Sequence, residues 1–256
     1  MFYKGSTFPE ISKAHPMEVI CQARYPAILS IGAGEPYAFQ DKIRKIYPQY
    51  MVKNEKPVPV PGAKLPANMP DVKNFHFISA DNRWKINLTN SFFALSTGAY
   101  TSWGDYAKRF DMPFAHFIKT YEPAWFDRIG LRYVNAFSRR NLGLEGTPWS
   151  ELLDPVYIGA MASGEVSEKM VLSSQFQTEL QLDDSVRARI VAGPGQLHIK
   201  GLPSPDPEPK FILDIDLSVA GKISLETAAS CLEKLHHQAK RIFFGAMTEK
   251  LIDALK

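Results

Sequence analysis

Two aspartates near the C-terminus have the spacing of a candidate metal site. Asp214 and Asp216 lie two residues apart in the segment 211–219, which alternates apolar and polar residues like a β-strand. Successive side chains of a strand point to opposite faces, so both carboxylates would share one face. Paired carboxylates can hold a divalent cation for phosphoryl or nucleotidyl transfer. In the alternative interpretation they are the solvated side of a half-buried strand.

Four arginines could bind an anion. Arg128 and Arg132 would share one face of a predicted strand over residues 125–137, as Arg187 and Arg189 would on a later strand. Guanidinium groups on a sheet can hold phosphate through bidentate hydrogen bonds, which makes Arg128 and Arg132 the candidate phosphate-binding residues. Cross-strand ion pairs with carboxylates are the alternative for the same side chains.

The histidines and cysteines lack the spacing of a metal centre or a catalytic thiol. The six histidines form no His-x-x-x-His or Cys/His zinc pattern, and no Gly-x-Ser-x-Gly nucleophile elbow occurs. Cys21 and Cys231 lie on apolar segments and are expected to pack in the core. The residues therefore predict no catalytic group and no cofactor, and they favour a binding protein over an enzyme.

The element that follows the aspartates is predicted to be a long helix. Apolar residues recur at steps of three and four from Leu225 to Ala246, which is the stripe of an amphipathic helix. The pattern predicts one helix over residues 224–255, about 48 Å long. Such a helix is longer than a small sheet needs for cover. Its exposed flank, or a sheet edge, is therefore the predicted surface for a protein partner or a second copy of the chain.

The remaining pattern predicts an α+β fold. Alternating residues indicate antiparallel strands over 75–79, 84–89 and 92–97, followed by a helix that Ser102 caps and Pro113 kinks or splits. The proline-rich segment 57–70 is predicted to be a long loop. A glycine-containing linker at 139–148 divides the chain into an N-terminal half, 1–140, and a C-terminal half, 141–256, packed as one unit. We expect antiparallel sheets with long amphipathic helices on one face, in a layout that allows two similar halves.

Composition and charge narrow the class of protein. The chain has 256 residues and two cysteines, and it contains no apolar run near the roughly 20 residues of a membrane span. We therefore expect a cytoplasmic protein with no membrane partner. The net charge is +3, but the N-terminal half holds 19 Lys or Arg against 11 Asp or Glu. That basic half, with Lys42, Arg44 and Lys45 close together, makes nucleic acid a further candidate partner.

Several segments carry a resemblance to a known family. They are the runs PMEVICQARY, RIGLRYVN, LDIDL, LEKLH and IFFGAMTEKL, which begin at Pro16, Arg128, Leu213, Leu232 and Ile242. On these runs the chain resembles the "sporadically distributed" family of uncharacterised bacterial and archaeal proteins. Gln22 stands where that family commonly carries glutamate. The resemblance implies mobile genes, such as toxin–antitoxin or phage-defence modules, and brings no established activity.

Three functions are thus open. The leading one is a binding or interaction protein, which the family resemblance would place in a mobile toxin–antitoxin or phage-defence module. The second is a metal-dependent nucleotide or phosphate enzyme that uses Asp214 and Asp216, with Arg128 and Arg132 on phosphate. The third is nucleic-acid binding through the basic N-terminal half.

Overall fold

The strands take up much of the chain. The computed structural model describes residues 1–13, 16–56, 71–196 and 208–256, so the predicted proline-rich loop at 57–70 lies outside the described residues. The strands are β1 (Glu18–Arg24), β2 (Gln49–Glu55), β3 (Val72–Ile78), β4 (Trp84–Leu88), β5 (Phe92–Thr97), β6 (Phe126–Phe137), β7 (Phe176–Gln181), β8 (Val186–Gly195) and β9 (Lys210–Ile223).

Of the α-helices in the described residues, four are longer than four residues. The α-helices are α1 (Ser30–Ala33), α2 (Tyr37–Ile43), α3 (Trp103–Tyr121), α4 (Trp149–Leu152), α5 (Pro155–Ile158), α6 (Ala228–Gly245) and α7 (Glu249–Leu255). Two 3₁₀ turns, Gly159–Ala162 and Glu168–Met170, lie between α5 and β7.

The strands are hydrogen-bonded in the order β2-β3-β4-β5-β1-β6-β9-β8-β7. This antiparallel nine-stranded sheet with helices confirms the predicted α+β class. In the parts of the chain that the structure describes, no helix combines the length and the apolar character that crossing a membrane requires.

The described residues form two compact units, each built from separate stretches of the chain. Unit 1 comprises Met1–Val19, Leu131–Val219 and Cys231–Lys256, and unit 2 comprises Ile20–Gly130 and Ala220–Ser230. The predicted halves 1–140 and 141–256 stay a prediction.

In unit 2 an aromatic core joins α3 to the meander of β3, β4 and β5. The Ser102 hydroxyl accepts a hydrogen bond from Asp105 N at 3.2 Å, which confirms the predicted N-terminal cap. The helix continues through Pro113 to Tyr121, so the predicted split is wrong. Phe93 on β5 lies 5.5 Å from Phe114 and 5.3 Å from Phe117, measured between ring centroids. These contacts bury one face of the meander.

In unit 1 the alternation of β9 is confirmed. Leu213, Ile215 and Leu217 are fully buried, whereas Asp214 and Asp216 between them are half-buried. The apolar stripe of α6 packs as predicted, since Leu235, Ala239 and Ile242 are buried. Strand and helix therefore bury their apolar residues and leave the even-numbered residues of β9 on a polar face.

The prediction of a single helix over residues 224–255 is wrong. Helix α6 ends at Gly245 and α7 begins at Glu249. Between them, Ala246 O accepts a hydrogen bond from Asp154 N, and Thr248 N donates to Leu152 O. The Thr248 hydroxyl then caps α7 by accepting from Leu251 N at 3.4 Å. The chain leaves the helix because backbone bonds to residues 152–154 replace the helical ones.

Strands β2 and β8 each have a feature that local sequence patterns do not indicate. Strand β2 follows α2 directly and was not predicted, because all seven of its residues are exposed and give no buried alternation. Strand β8 runs through Pro194 to Gly195. Pro194 is tolerated there because β7 pairs with β8 only as far as Ala192, which leaves Pro194 with β9 as its ladder partner.

Candidate functional site

The predicted metal ligand Asp214 is held by the predicted phosphate ligand Arg132. Arg132 Nε donates to Asp214 Oδ1 at 2.8 Å, and Arg132 Nη2 donates to Asp214 Oδ2 at 2.6 Å. This bidentate bond raises the pKa of Arg132, and the charges of Asp216 and Glu18 raise it further. Arg132 and Asp214 therefore form a cross-strand pair, in the arrangement that the sequence left as an alternative.

Asp216 lies beside the same pair. In the register of β8 and β9 it is opposite Arg189, whose Nε is also 3.9 Å from Glu179 on β7. The polar face of unit 1 thus alternates acidic and basic groups from strand to strand. Such alternation stabilises strand pairing and lowers the net charge that a divalent cation would meet. The assignment of Asp214 and Asp216 as metal ligands stays a prediction.

Arg128 lies in unit 2, whereas Arg132 lies in unit 1. The Arg128 side chain folds back over Gly130, where a Cβ atom would collide with its guanidinium. The amide oxygen of Gln22 is 3.5 Å from Arg128 Nη1 and accepts from Arg24 Nε at 3.0 Å. Gln22 therefore holds two guanidinium groups on β1 and β6 of this unit. Phosphate binding by Arg128 and Arg132 stays a prediction.

Burial makes both thiols poor nucleophiles. It raises the pKa of Cys21 well above that of an ordinary thiol, against a smaller opposite effect of Arg128. Burial also raises the pKa of Cys231. A thiolate, and not a thiol, is the reactive form. Cys21 is buried in the core as predicted, whereas Cys231 is only half-buried.

His236 is a structural histidine of unit 1. Its Nδ1 atom lies 2.9 Å from the Tyr133 hydroxyl, which joins α6 to β6. Burial, together with smaller effects of the charges of Lys240 and His237, lowers the pKa of His236 to about 4. The ring is therefore neutral at neutral pH and acts as a hydrogen-bonding group between helix and strand.

A cavity of about 700 Å³ opens in unit 1 between the end of β6 and the second 3₁₀ turn. Arg139 Nη1 pairs with Glu168 Oε2 at 2.9 Å, and its guanidinium stacks on the Trp149 ring at 4.3 Å. Lys210 Nζ lies 3.0 Å from Glu208 Oε2. Although burial raises the pKa of Glu208, hydrogen bonds from Arg140 N and Ser138 lower it overall. The cavity has the volume of a small-molecule site, and two of its charged lining residues, Arg139 and Glu168, are paired with each other.

A polar cluster of unit 2 was missed by the sequence analysis. His76 and Asn74 lie on one face of β3, and both are almost fully buried although β3 is otherwise apolar in its centre. The Asn74 Oδ1, His76 Nε2 and Asn87 Oδ1 atoms are buried without a hydrogen-bond partner. Burial lowers the pKa of His76, and the charge of Lys85 adds to this effect. The alternation of Asn74 and His76 with Phe75 and Phe77 could have indicated a strand with polar groups buried on its second face.

Strand β2 of unit 2 carries exposed apolar side chains at the end of the strand order. Strand β2 pairs with β3 on one side and is the last strand in the hydrogen-bonded order. Its centre, Tyr50-Met51-Val52, is apolar, and these three side chains are 40%, 44% and 39% exposed. Leu29 and Tyr37 of the same unit are more exposed still. An exposed apolar edge is a template for pairing with another strand.

The direction of the backbone groups of β2 follows from the register. Ser79 N donates to Trp84 O at 2.9 Å, so the odd-numbered residues of β3 point their backbone groups towards β4 and the even-numbered ones towards β2. His76 is opposite Met51, and Asn74 is opposite Lys53. Met51 and Lys53 therefore bond to β3. Tyr50, Val52 and Asn54 direct their N–H and C=O groups away from β3, to an edge that no other described strand covers.

Comparison with known proteins assigns no function to these residues. No protein family matches the chain, and no curated protein matches it significantly. Within the described residues, no group of three or more His, Cys, Asp or Glu side chains could hold a metal ion.

Proposed function

We propose that the chain is a binding protein that accepts an extended segment of a partner protein as an additional strand beside β2. The carrying observation is the outer edge of β2, where Tyr50, Val52 and Asn54 present backbone donors and acceptors. In strand addition these main-chain groups supply affinity, and alternate side chains supply specificity. Each new main-chain hydrogen bond contributes about 0.5–1.5 kcal/mol.

The side chains of β2 indicate what the partner segment looks like. Tyr50 packs its ring against Phe77 at 5.4 Å, so Tyr50 and Val52 extend the apolar face of the meander to the edge. Met51, Lys53 and Glu55 lie on the opposite face. A segment that alternates apolar residues on the first face with polar residues on the second would continue both faces.

Charge favours an acidic partner. The segment 41–56, which leads into and includes β2, holds five Lys or Arg against two Asp or Glu. Arg44 is well exposed beside Asp41. A basic approach surface raises the rate of encounter with acidic segments and makes that rate fall with salt. The partner in this proposal is therefore an extended segment that combines apolar and acidic residues.

The test separates the backbone of β2 from its side chains. Random 12-residue peptides displayed on phage are selected on the protein, and the affinity of recovered peptides is measured by fluorescence anisotropy. Val52→Pro removes one outward N–H and leaves the bonds to β3 intact, so we expect affinity to fall by about tenfold or more. Val52→Thr keeps the N–H and a β-branched side chain, and should bind like the parent.

Two results would count against strand addition at β2. One is a selection that recovers no peptide above a matrix without protein. The other is a set of peptides that bind Val52→Pro as tightly as Val52→Thr. A dimer that Val52→Pro dissociates would support the same edge, with a second copy as its occupant.

Several further predictions from the sequence form part of this proposal. A strand-accepting protein would suit a bacterial toxin–antitoxin or phage-defence module in the cytoplasm, as the family resemblance implies. Long helices on one face and two similar halves would leave the sheet edges as binding surfaces. Membership of the family, a metal-dependent phosphate enzyme and nucleic-acid binding stay predictions. A toxin-like or nuclease-like neighbouring gene would favour a protein partner. Calorimetry with nucleotides tests the enzyme, and retention on heparin tests nucleic-acid binding.

A further inference from the structure

Four polar side chains of unit 2 meet on one face of β2, β3 and β4. His76 on β3 is directly opposite Asn87 on β4. Asn74 is two residues from His76 and therefore on the same face of β3. Asn74 is opposite Lys53, and Glu55 follows two residues later on the same face of β2. The register thus brings Glu55, Asn74, His76 and Asn87 together.

Two members of the cluster are buried, and the cluster is incompletely bonded. His76 is 4% exposed and Asn74 is 3% exposed. His76 Nε2 and the Oδ1 atoms of Asn74 and Asn87 have no hydrogen-bond partner. A buried polar atom without a partner costs about 1–3 kcal/mol, so three neighbouring ones indicate a bound group that satisfies them. All three can act as electron-pair donors, and a cation accepts from such atoms.

The distances fit two ligands of one metal ion. His76 Nε2 and Glu55 Oε1 are 3.8 Å apart, which is too long for a hydrogen bond. Two ligands of a tetrahedral zinc ion, each about 2.1 Å from the metal, lie about 3.4 Å apart. Asn74 Nδ2 donates to Glu55 Oε2 at 2.8 Å and so orients the carboxylate. That bond occupies Oε2 and leaves Oε1 on the side of His76.

We propose that His76 Nε2 and Glu55 Oε1 bind a divalent transition-metal ion of the zinc class, with the amide oxygens of Asn74 and Asn87 completing its coordination. Imidazole nitrogen selects Zn²⁺, Co²⁺ or Ni²⁺ over the oxygen-seeking Mg²⁺ and Ca²⁺. The site joins β2 to β3 and β4, so the metal has a structural role. The inference stands independently of strand addition at β2.

Two lysines set the strength of the site. The charges of Lys85 and Lys53 reach His76, against the single opposite charge of Glu55. These cations repel a metal ion, so the site binds more weakly than a site of three acidic or imidazole ligands. Lys53→Gln removes one of the repelling charges and should tighten binding several-fold.

The probe is Co²⁺, whose visible absorption reports coordination by nitrogen, followed by displacement with Zn²⁺ in calorimetry of the full chain. We expect one equivalent of metal to bind. His76→Gln and Glu55→Gln should each weaken binding by about 10- to 100-fold. Glu55 is half-exposed, and Gln keeps an acceptor for Asn74, so Glu55→Gln is expected to fold. His116→Gln, on α3, is the matched control and should bind like the parent.

The site is refuted by three results. The first is a parent protein that binds no Co²⁺ or Zn²⁺, which would leave water as the bound group. The second is binding that Glu55→Gln or His76→Gln leaves unchanged. The third is an equal loss in His116→Gln, which would place the metal elsewhere.

Discussion

At the residue scale, two side chains predicted to bind different ligands form an ion pair with each other. Asp214 and Arg132 were candidate ligands for a metal and a phosphate, and they form one bidentate pair. The spacing of Asp214 and Asp216 could show that both lie on one face of a strand. It could not show which strand lies beside them, because the neighbour of β9 is fixed by pairing with a residue 82 positions away. Local patterns carry no information on that contact.

The Arg132–Asp214 pair is predicted to stabilise the fold. Asp214→Asn should lower the free energy of unfolding by about 1–2 kcal/mol, between the values for exposed and buried pairs, because Arg132 loses its charged partner. Urea unfolding measures the loss. Asp253→Asn breaks the exposed pair with Lys256 and should change stability by less than about 0.5 kcal/mol. If Asp214→Asn were more stable than the parent, the Asp214 carboxylate would destabilise the fold, which would indicate that it serves in binding.

His236 makes the fold sensitive to acid. The pKa of this histidine is about 4 in the fold and near 6.5 in an ordinary setting, so the unfolded chain takes up the proton first as the pH falls. The contribution of the neutral ring is complete above pH 6.5 and is lost between pH 6.5 and about 4. Between pH 6.5 and about 4, the free energy of unfolding should therefore fall by about 1–3 kcal/mol less for His236→Gln than for the parent.

Unfolding in urea at a series of pH values tests this effect. His237 lies next in the chain and packs its ring against Phe8 at 5.4 Å. His237→Gln should keep the pH dependence of the parent. If His236→Gln and the parent lose stability in parallel, the buried histidine is not the group that senses acid.

At the element scale, strongly periodic segments were predictable and exposed ones were not. The alternation of residues 84–89 predicted β4 to within one residue, and that of residues 92–97 predicted both ends of β5. Strand β2 was missed because Gln49 to Glu55 shows no buried face, and exposure is what makes it a candidate binding edge. The polar cluster around His76 was missed for a related reason. Its four residues come from three strands, and only their register brings them together.

The break between α6 and α7 has a testable cap. Thr248→Ala removes the side-chain bond to Leu251 N and the bond from the Thr248 hydroxyl to Glu151 O at 2.8 Å. We expect thermal unfolding to show a loss of about 1 kcal/mol, as for other N-terminal caps. Ser230→Ala, at an exposed position near the start of α6, should stay within about 0.5 kcal/mol of the parent. A neutral or stabilising Thr248→Ala would favour one continuous helix.

At the scale of the whole molecule, the fold class was predictable and its division into units was not. Composition and periodicity indicate an antiparallel sheet with helices, and this is what the structure contains. Each compact unit gathers distant stretches of the chain. The linker at 139–148 predicted a boundary from local composition. The compact units depend instead on long-range contacts, such as the hydrogen bond from Asn135 Nδ2 to Leu213 O at 3.1 Å. Long-range pairings of this kind leave no signature in a window of sequence.

The measurement that tests strand addition most directly is amide hydrogen exchange along β2, with and without a selected peptide. In the free protein, Met51 and Lys53 should be protected by β3, while Tyr50, Val52 and Asn54 exchange rapidly at the open edge. With peptide bound, we predict that exchange slows at Tyr50, Val52 and Asn54 and hardly changes at Met51 and Lys53. Peptide binding that leaves Val52 exchanging at its free rate, or that protects a different element, would contradict strand addition at β2.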